Sequence, residues 1–211
     1  MNIEEIKGII ENDLTPKRFI HSLNVMNTAI RLSDRYGEDR QKAAVAGLLH
    51  DYARDVRCWD MVPLCESYGI ELDVITRNQP ELLHGPLAAT LVREKFGVTE
   101  PDILDAIYFH TTGRENMNLL EKIIFISDYI EPGRIFPGVD DIRKLAFSDL
   151  DAAIIMALDS TIKYVIKKGA LVHPDSLNAR NFIIARKRAV NNNAYSGQMQ
   201  NNHYSMQPDH Y

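Results

Sequence analysis

Apolar positions recur every three to four residues through most of this chain, the period of an amphipathic helix. Ile3 to Glu11 predicts a short amphipathic opener. Thr15 and Pro16 supply an N-cap and a first-turn proline for a helix that runs to Tyr36 and stops at Gly37. Glu38 to Asp51 predicts the next helix, and its stretch from Ala43 to Leu49 is apolar all round, as a buried helix would be. A helix from about Trp59 to Tyr68 ends at Gly69, with Pro63 near its first turn or kinking it. Pro86 to Phe96 closes with Gly97, and Thr99 with Asp102 caps a helix leading to His110. Asn118 to Glu131 stops at Pro132 and Gly133, and Asp140 to Ala146 is short. Ser148 with Asp151 reads as a capping box for a long helix to Lys168, ended by Gly169. A last helix covers about Asp175 to Val190. No period-two alternation persists beyond a few residues, so the expected fold is all-α.

One pair breaks the apolar pattern. His50 and Asp51 follow directly on the buried stretch, where an ionised carboxylate is costly unless it is paired or holds a metal. Further candidates stand along the chain at His21, His84, His110 and Asp128. Leu120, Ile124 and Asp128 are spaced four apart, and His110 follows Ile103 and Ile107, so both polar groups are placed on inward stripes. Four imidazoles and two carboxylates exceed the needs of one cation and suggest two, with Asp51 as the bridge. Such a donor set suits iron, manganese, zinc or cobalt, and the lack of thiolates argues against a structural zinc site.

Composition narrows the class. The chain has 211 residues, 45% of them hydrophobic, enough for one core and one domain over residues 1–190. A net charge of −5 without a dense basic run disfavours non-specific nucleic-acid binding. No stretch of about 18 apolar residues offers a membrane span, and the opening residues lack a basic and apolar leader, so a cytoplasmic location is expected. Cys58 and Cys65, seven apart on one helix and about 10 Å apart by helical rise, are expected reduced. From Asn191 to Tyr211 the composition turns to Asn, Gln, Ser, Tyr and Met, which predicts a disordered or loosely held tail.

The ordered set His21, His50–Asp51, Asp128 resembles the metal-dependent phosphohydrolases of the HD-domain class, and His84 with His110 resembles its two-metal branch. The segments Arg18–Ser22, Leu48–Arg54, His110–Arg114, Asp128–Arg134 and Val172–Pro174 with Asn181 resemble symmetrical bis(5′-nucleosyl)-tetraphosphatases of the YqeK type. The resemblance spans about Thr15 to Arg188. It implies a compact helical bundle around a di-iron-type centre and cleavage of diadenosine tetraphosphate to two ADP through a metal-bridging hydroxide, with related dinucleoside polyphosphates accepted. It carries His21, His50, Asp51, His84, His110 and Asp128 over as metal ligands. Two positions depart from it: Arg54 stands where Lys is common, and Gly85 where Ala is usual. An anionic polyphosphate calls for cations beyond the metals, and Arg18, Arg114, Lys122 and Arg134 are candidates, with Thr111, Thr112 and Gly113 as a turn offering hydroxyls and N–H groups. His173 is read as structural. A nucleotidase acting on mononucleotides and a non-catalytic metal-stabilised regulatory module remain alternatives, and the sequence leaves the oligomeric state open, a homodimer included.

Overall fold

A computed structural model describes the backbone of residues 2–203 and the side chains as far as residue 190. Among the described residues it holds eleven α-helices and one 3-10 turn, and no strand. The helices are α1 (Ile3–Asp13), α2 (Pro16–Tyr36), α3 (Arg40–Leu49), α4 (Cys58–Ser67), α5 (Val74–Asn78), α6 (His84–Phe96), α7 (Pro101–Tyr108), α8 (Leu119–Ile130), α9 (Val139–Ala146), α10 (Leu150–Lys167) and α11 (Pro174–His203). The 3-10 turn, Pro80–Leu83, leads straight into α6.

The all-α expectation holds, and the local chemistry of the helix ends explains where boundaries differ. Asp39, not Glu38, starts α3, because its carboxylate accepts from the N–H groups of Gln41 and Lys42. Asp149 rather than Ser148 caps α10, accepting from Ala152 N–H. Pro101 takes the first position of α7, so Glu100 and not Thr99 is its cap residue. Thr15 does stand at the cap position of α2, but its hydroxyl donates to Asp55 at 2.9 Å instead of closing the helix. Pro63 lies inside α4. The sequence pattern did not anticipate α5, a five-residue helix closed by a capping box between Asp73 and Thr76. The last helix continues past Val190 to His203; extending a formed helix needs no new nucleus, so residues of weak helix preference can follow it. The rest of the expected tail, 204–211, lies outside the described residues.

Burial follows the apolar stripes. Helix α2 packs along α3 and α8, α3 also meets α7 and α8, α6 lies on α7, and α10 joins α8, α9 and α11. Leu32, Leu48, Leu49, Leu87, Ile107, Leu120, Ile123 and Ile124 fill the space between them and are fully buried. Two glycines allow the closest approaches. A Cβ on Gly47 would sit 2.9 Å from Met26 Cα, which brings α3 against α2. A Cβ on Gly85 would sit 2.5 Å from the Tyr108 carbonyl, which brings α6 against the end of α7. These contacts set His21, His50, His84 and His110 around one point. No helix among the described residues is long and apolar enough to cross a membrane.

Candidate metal centre

Three of the four histidines are oriented by one local device. Each stands just after or at the edge of a helical turn and donates its Nδ1–H to the carbonyl three residues before it. His50 donates to Gly47 at 2.8 Å, His84 to Glu81 at 2.5 Å and His110 to Ile107 at 2.7 Å. A carbonyl can only accept, so Nδ1 carries the proton and the Nε2 lone pair points away from the backbone. His50 and His110 therefore follow α3 and α7 rather than ending them, and the turn, not the helix face, aims them. His21 comes from the second turn of α2 and uses a side chain instead: its Nδ1 lies 3.2 Å from Glu131 Oε1.

The four Nε2 atoms converge. His21 and His50 lie 3.2 Å apart and His84 and His110 2.9 Å apart, Nε2 to Nε2. Two lone pairs facing each other at such distances repel unless a positive charge lies between them. Asp51 divides its oxygens between the pairs: Oδ1 is 3.2 Å from His84 and 3.5 Å from His110, and Oδ2 is 3.4 Å from His21 and 3.5 Å from His50. Asp128 Oδ1 adds to the first pair, 3.0 Å from His21 and 3.8 Å from His50. Within this cluster the groups His21–His50–Asp51, His50–His110–Asp128 and Asp51–His84–His110 each have ligand atoms within 4.8 Å of one another. All six expected ligands thus meet at one place, with imidazole and carboxylate donors that fit divalent cations.

The electrostatics agree with that donor set. Burial pushes the Asp51 carboxyl up, but His50, His110 and His84 outweigh it and hold it well below the usual carboxylate range. Asp128 is likewise held far down against burial, by His21, Arg134 and His50. Burial lowers the His84 imidazole and so favours its neutral, ligating form. The guanidinium of Arg18 contacts Asp51, and its Nε is buried without a hydrogen-bond partner. The guanidinium of Arg134 contacts Asp128, and its Nε donates to the Asp128 carbonyl at 2.8 Å.

Comparison with known proteins places this arrangement. The family model described as the HD domain matches residues 18–133. The "Bis(5'-nucleosyl)-tetraphosphatase, symmetrical" of Bacillus subtilis is 43% identical over 185 residues, 88% of this chain and 99% of the relative. The chain belongs to the HD-domain family of symmetrical bis(5′-nucleosyl)-tetraphosphatases. The relative of the same name from Staphylococcus aureus is 39% identical over 86% of this chain and 94% of its own. A crystal structure described as a predicted HD superfamily hydrolase involved in NAD metabolism, from Clostridium acetobutylicum, shares 46% identity and superposes with a TM-score of 0.85 over 88% of this chain and 98% of that one. As in HD-domain hydrolases generally, the cluster is one for divalent metal.

Within this family site, the expected phosphate contacts divide. Arg18, Arg134 and Thr111 are at the centre; the Thr111 hydroxyl lies 3.2 Å from His84 Nε2 and 3.1 Å from His110 Nε2. Arg114 is drawn elsewhere, paired with the buried Glu121 at 2.6 Å and Asp105 at 2.9 Å and lying over the Phe109 ring. Lys122 pairs with Asp151 at 2.7 Å. Thr112 turns its hydroxyl to the Gly113 carbonyl, and Gly113 N–H donates to Phe109, so neither offers its group to the cluster.

Sequence reasoning missed Glu131 and Asn24. Glu131 is buried and holds three partners: His21 Nδ1, Asn24 Nδ2 at 2.9 Å and Gly133 N–H at 2.5 Å. Gly133 is required there, since a Cβ would meet Glu131 Oε1 at 2.8 Å. The signal was present in the spacing, because Asn24 and Glu131 each follow a ligand, His21 and Asp128, by three residues.

Proposed function

We propose that this chain hydrolyses diadenosine tetraphosphate, and related dinucleoside polyphosphates, symmetrically to nucleoside diphosphates at a pair of divalent cations joined by Asp51. The observation that carries the reading is the convergence of four imidazole Nε2 atoms on the two oxygens of one carboxylate. His21, His50, Asp128 and Asp51 Oδ2 would hold one cation, and His84, His110 and Asp51 Oδ1 the other. Iron is favoured by the family resemblance, with manganese, cobalt or zinc compatible with the same donors. Such a pair, when bound, supplies Lewis acidity toward phosphoryl oxygens and a water of lowered pKa.

The remaining work falls to the chain's own groups. Arg18 and Arg134 hold guanidinium groups against the two carboxylates, on the same side of the centre, where their free N–H groups can meet phosphate oxygens. Thr111 presents a hydroxyl at the His84–His110 end, within reach of an inner phosphate. The apolar helices behind the histidines keep bulk water out and strengthen every charge interaction in front of them. Since the departing group is ADP, whose terminal phosphate leaves readily, no strong general acid is required of the side chains. Chromatography of the products from metal-replete protein tests the reading. Diadenosine tetraphosphate should yield ADP alone. AMP with ATP would contradict symmetric cleavage, orthophosphate from AMP would favour the mononucleotidase, and no turnover at full metal content would favour a regulatory module.

A further inference from the structure

A cavity beside the centre has no part in holding metal. It measures about 350 Å³, inside the roughly 300–1,000 Å³ range of small-molecule sites. Thr111 is its junction with the centre, since the residue lines the cavity while its hydroxyl touches the Nε2 atoms of His84 and His110. Leu72, Leu83 and Pro86 give an apolar wall, and the partly exposed ring of Tyr108 stands with them.

Glu71, Asp73 and Asp175 add carboxylates to a lining that also holds Thr76, Phe109 and Thr112, and His173 joins two of its segments. Asp175 N–H donates to His173 Nδ1 at 3.3 Å, so the ring proton sits on Nε2, 3.2 Å from Asp73 Oδ2. The imidazole thus ties the segment before α5 to the start of α11 and holds the Asp73 carboxylate on the cavity wall.

Charge decides what fits. No Lys or Arg lines this cavity, and three carboxylates would repel a phosphate. Carboxylates do accept hydrogen bonds from ribose hydroxyls and exocyclic amino groups, and a tyrosine ring offers a stacking face. A second cavity, of about 450 Å³, opens at the other end of the centre and has the opposite character, with Lys17, Arg18 and Arg134 beside Ile135 and Phe136. Resting on the dinucleoside polyphosphate reading, we propose that the Tyr108 cavity is a nucleoside subsite. It receives the uncharged base and ribose of one half of the substrate, whose phosphates pass Thr111 to reach the histidines.

Steady-state kinetics on diadenosine tetraphosphate, with metal content and inhibition by inorganic pyrophosphate measured in parallel, test this. Tyr108→Ala should raise KM about tenfold or more, the loss of one stacked base, with kcat, metal content and pyrophosphate inhibition unchanged. Tyr108→Phe, which keeps the ring, should restore KM. An unchanged KM in Tyr108→Ala, or pyrophosphate inhibition weakened in step with it, would overturn the assignment. Should wild-type protein fail to turn over diadenosine tetraphosphate, the reading of the reaction fails, and calorimetry decides the subsite. ADP binding weakened tenfold by Tyr108→Ala with pyrophosphate binding intact supports it, and equal ADP affinity overturns it.

Discussion

Glu131 does for His21 what backbone carbonyls do for His50, His84 and His110: it fixes the protonated nitrogen so that Nε2 faces the centre. A carboxylate behind a ligating imidazole also raises its basicity, and losing one typically costs 10–100-fold in metal affinity. Glu131→Ala is therefore expected to weaken binding of the cation that His21 would hold by about that factor, read by metal titration, while the chain stays folded; wild-type affinity would show that His21 needs no such support. The cysteines give a second residue-scale test. Burial pushes the Cys65 thiol up to about 11, whereas Cys58 is exposed. A raised pKa leaves Cys65 as the unreactive thiol at about pH 8, because the thiolate is the nucleophile. A disulfide reagent should then modify one thiol in the native chain and two after unfolding, and two rapid equivalents from native protein would contradict the burial. At this scale the six residues that converge were legible in sequence, His50, Asp51, His110 and Asp128 because each is a polar residue breaking an apolar pattern, and His21 and His84 through the resemblance. Glu131 was passed over because it looks like an ordinary helix end, although its three-residue offset from Asp128 was a signal. Arg114 and Lys122 are drawn away from the centre by Glu121 and Asp151, partners that the folded chain brings to them and that helical spacing does not reveal.

At the scale of elements, the seating of α6 on α7 shapes half of the centre, for His84 opens one helix and His110 follows the other. Gly85 makes that seating close, with only 2.5 Å between a would-be Cβ and the Tyr108 carbonyl, which is backbone and cannot swing aside. This gives a physical reason for the glycine at that position, where the resemblance led to an expectation of alanine. Gly85→Ala should cost about 1–3 kcal/mol by overpacking, a fall of roughly 2–4 °C in Tm per kcal/mol for a chain of this size. Calorimetry showing no change would mean that α6 already has room to move. Helix existence was readable from periodicity, while the starts of α3, α7 and α10 were displaced by one or two residues. Asp149 competed with Ser148, a residue of similar capping strength, Pro101 took the first helical position two residues after the expected cap Thr99, and Asp39 capped the helix one residue past Glu38. Helix α5 escaped because five residues carry too little periodicity to register.

At the scale of the whole molecule, α2, α3, α6, α7 and α8 converge so that residues from Arg18 to Arg134 share one charged interior point in an otherwise apolar bundle. The all-α bundle and the gathering of its polar residues were both foreseeable from the chain, because burying six ionisable side chains is tolerable only if they neutralise one another around cations. The sequence pointed to Asp51 as a bridge but not to the division of its two oxygens between particular histidine pairs, which depends on the mutual placement of four helices. That division is the centre of the account, and the metal content of Asp51→Ala tests it most directly. Elemental analysis should find two divalent cations per chain in wild-type protein and almost none in the variant, with both lost together. A variant that stays folded and retains both cations, or loses only one, would contradict a carboxylate shared between two metals.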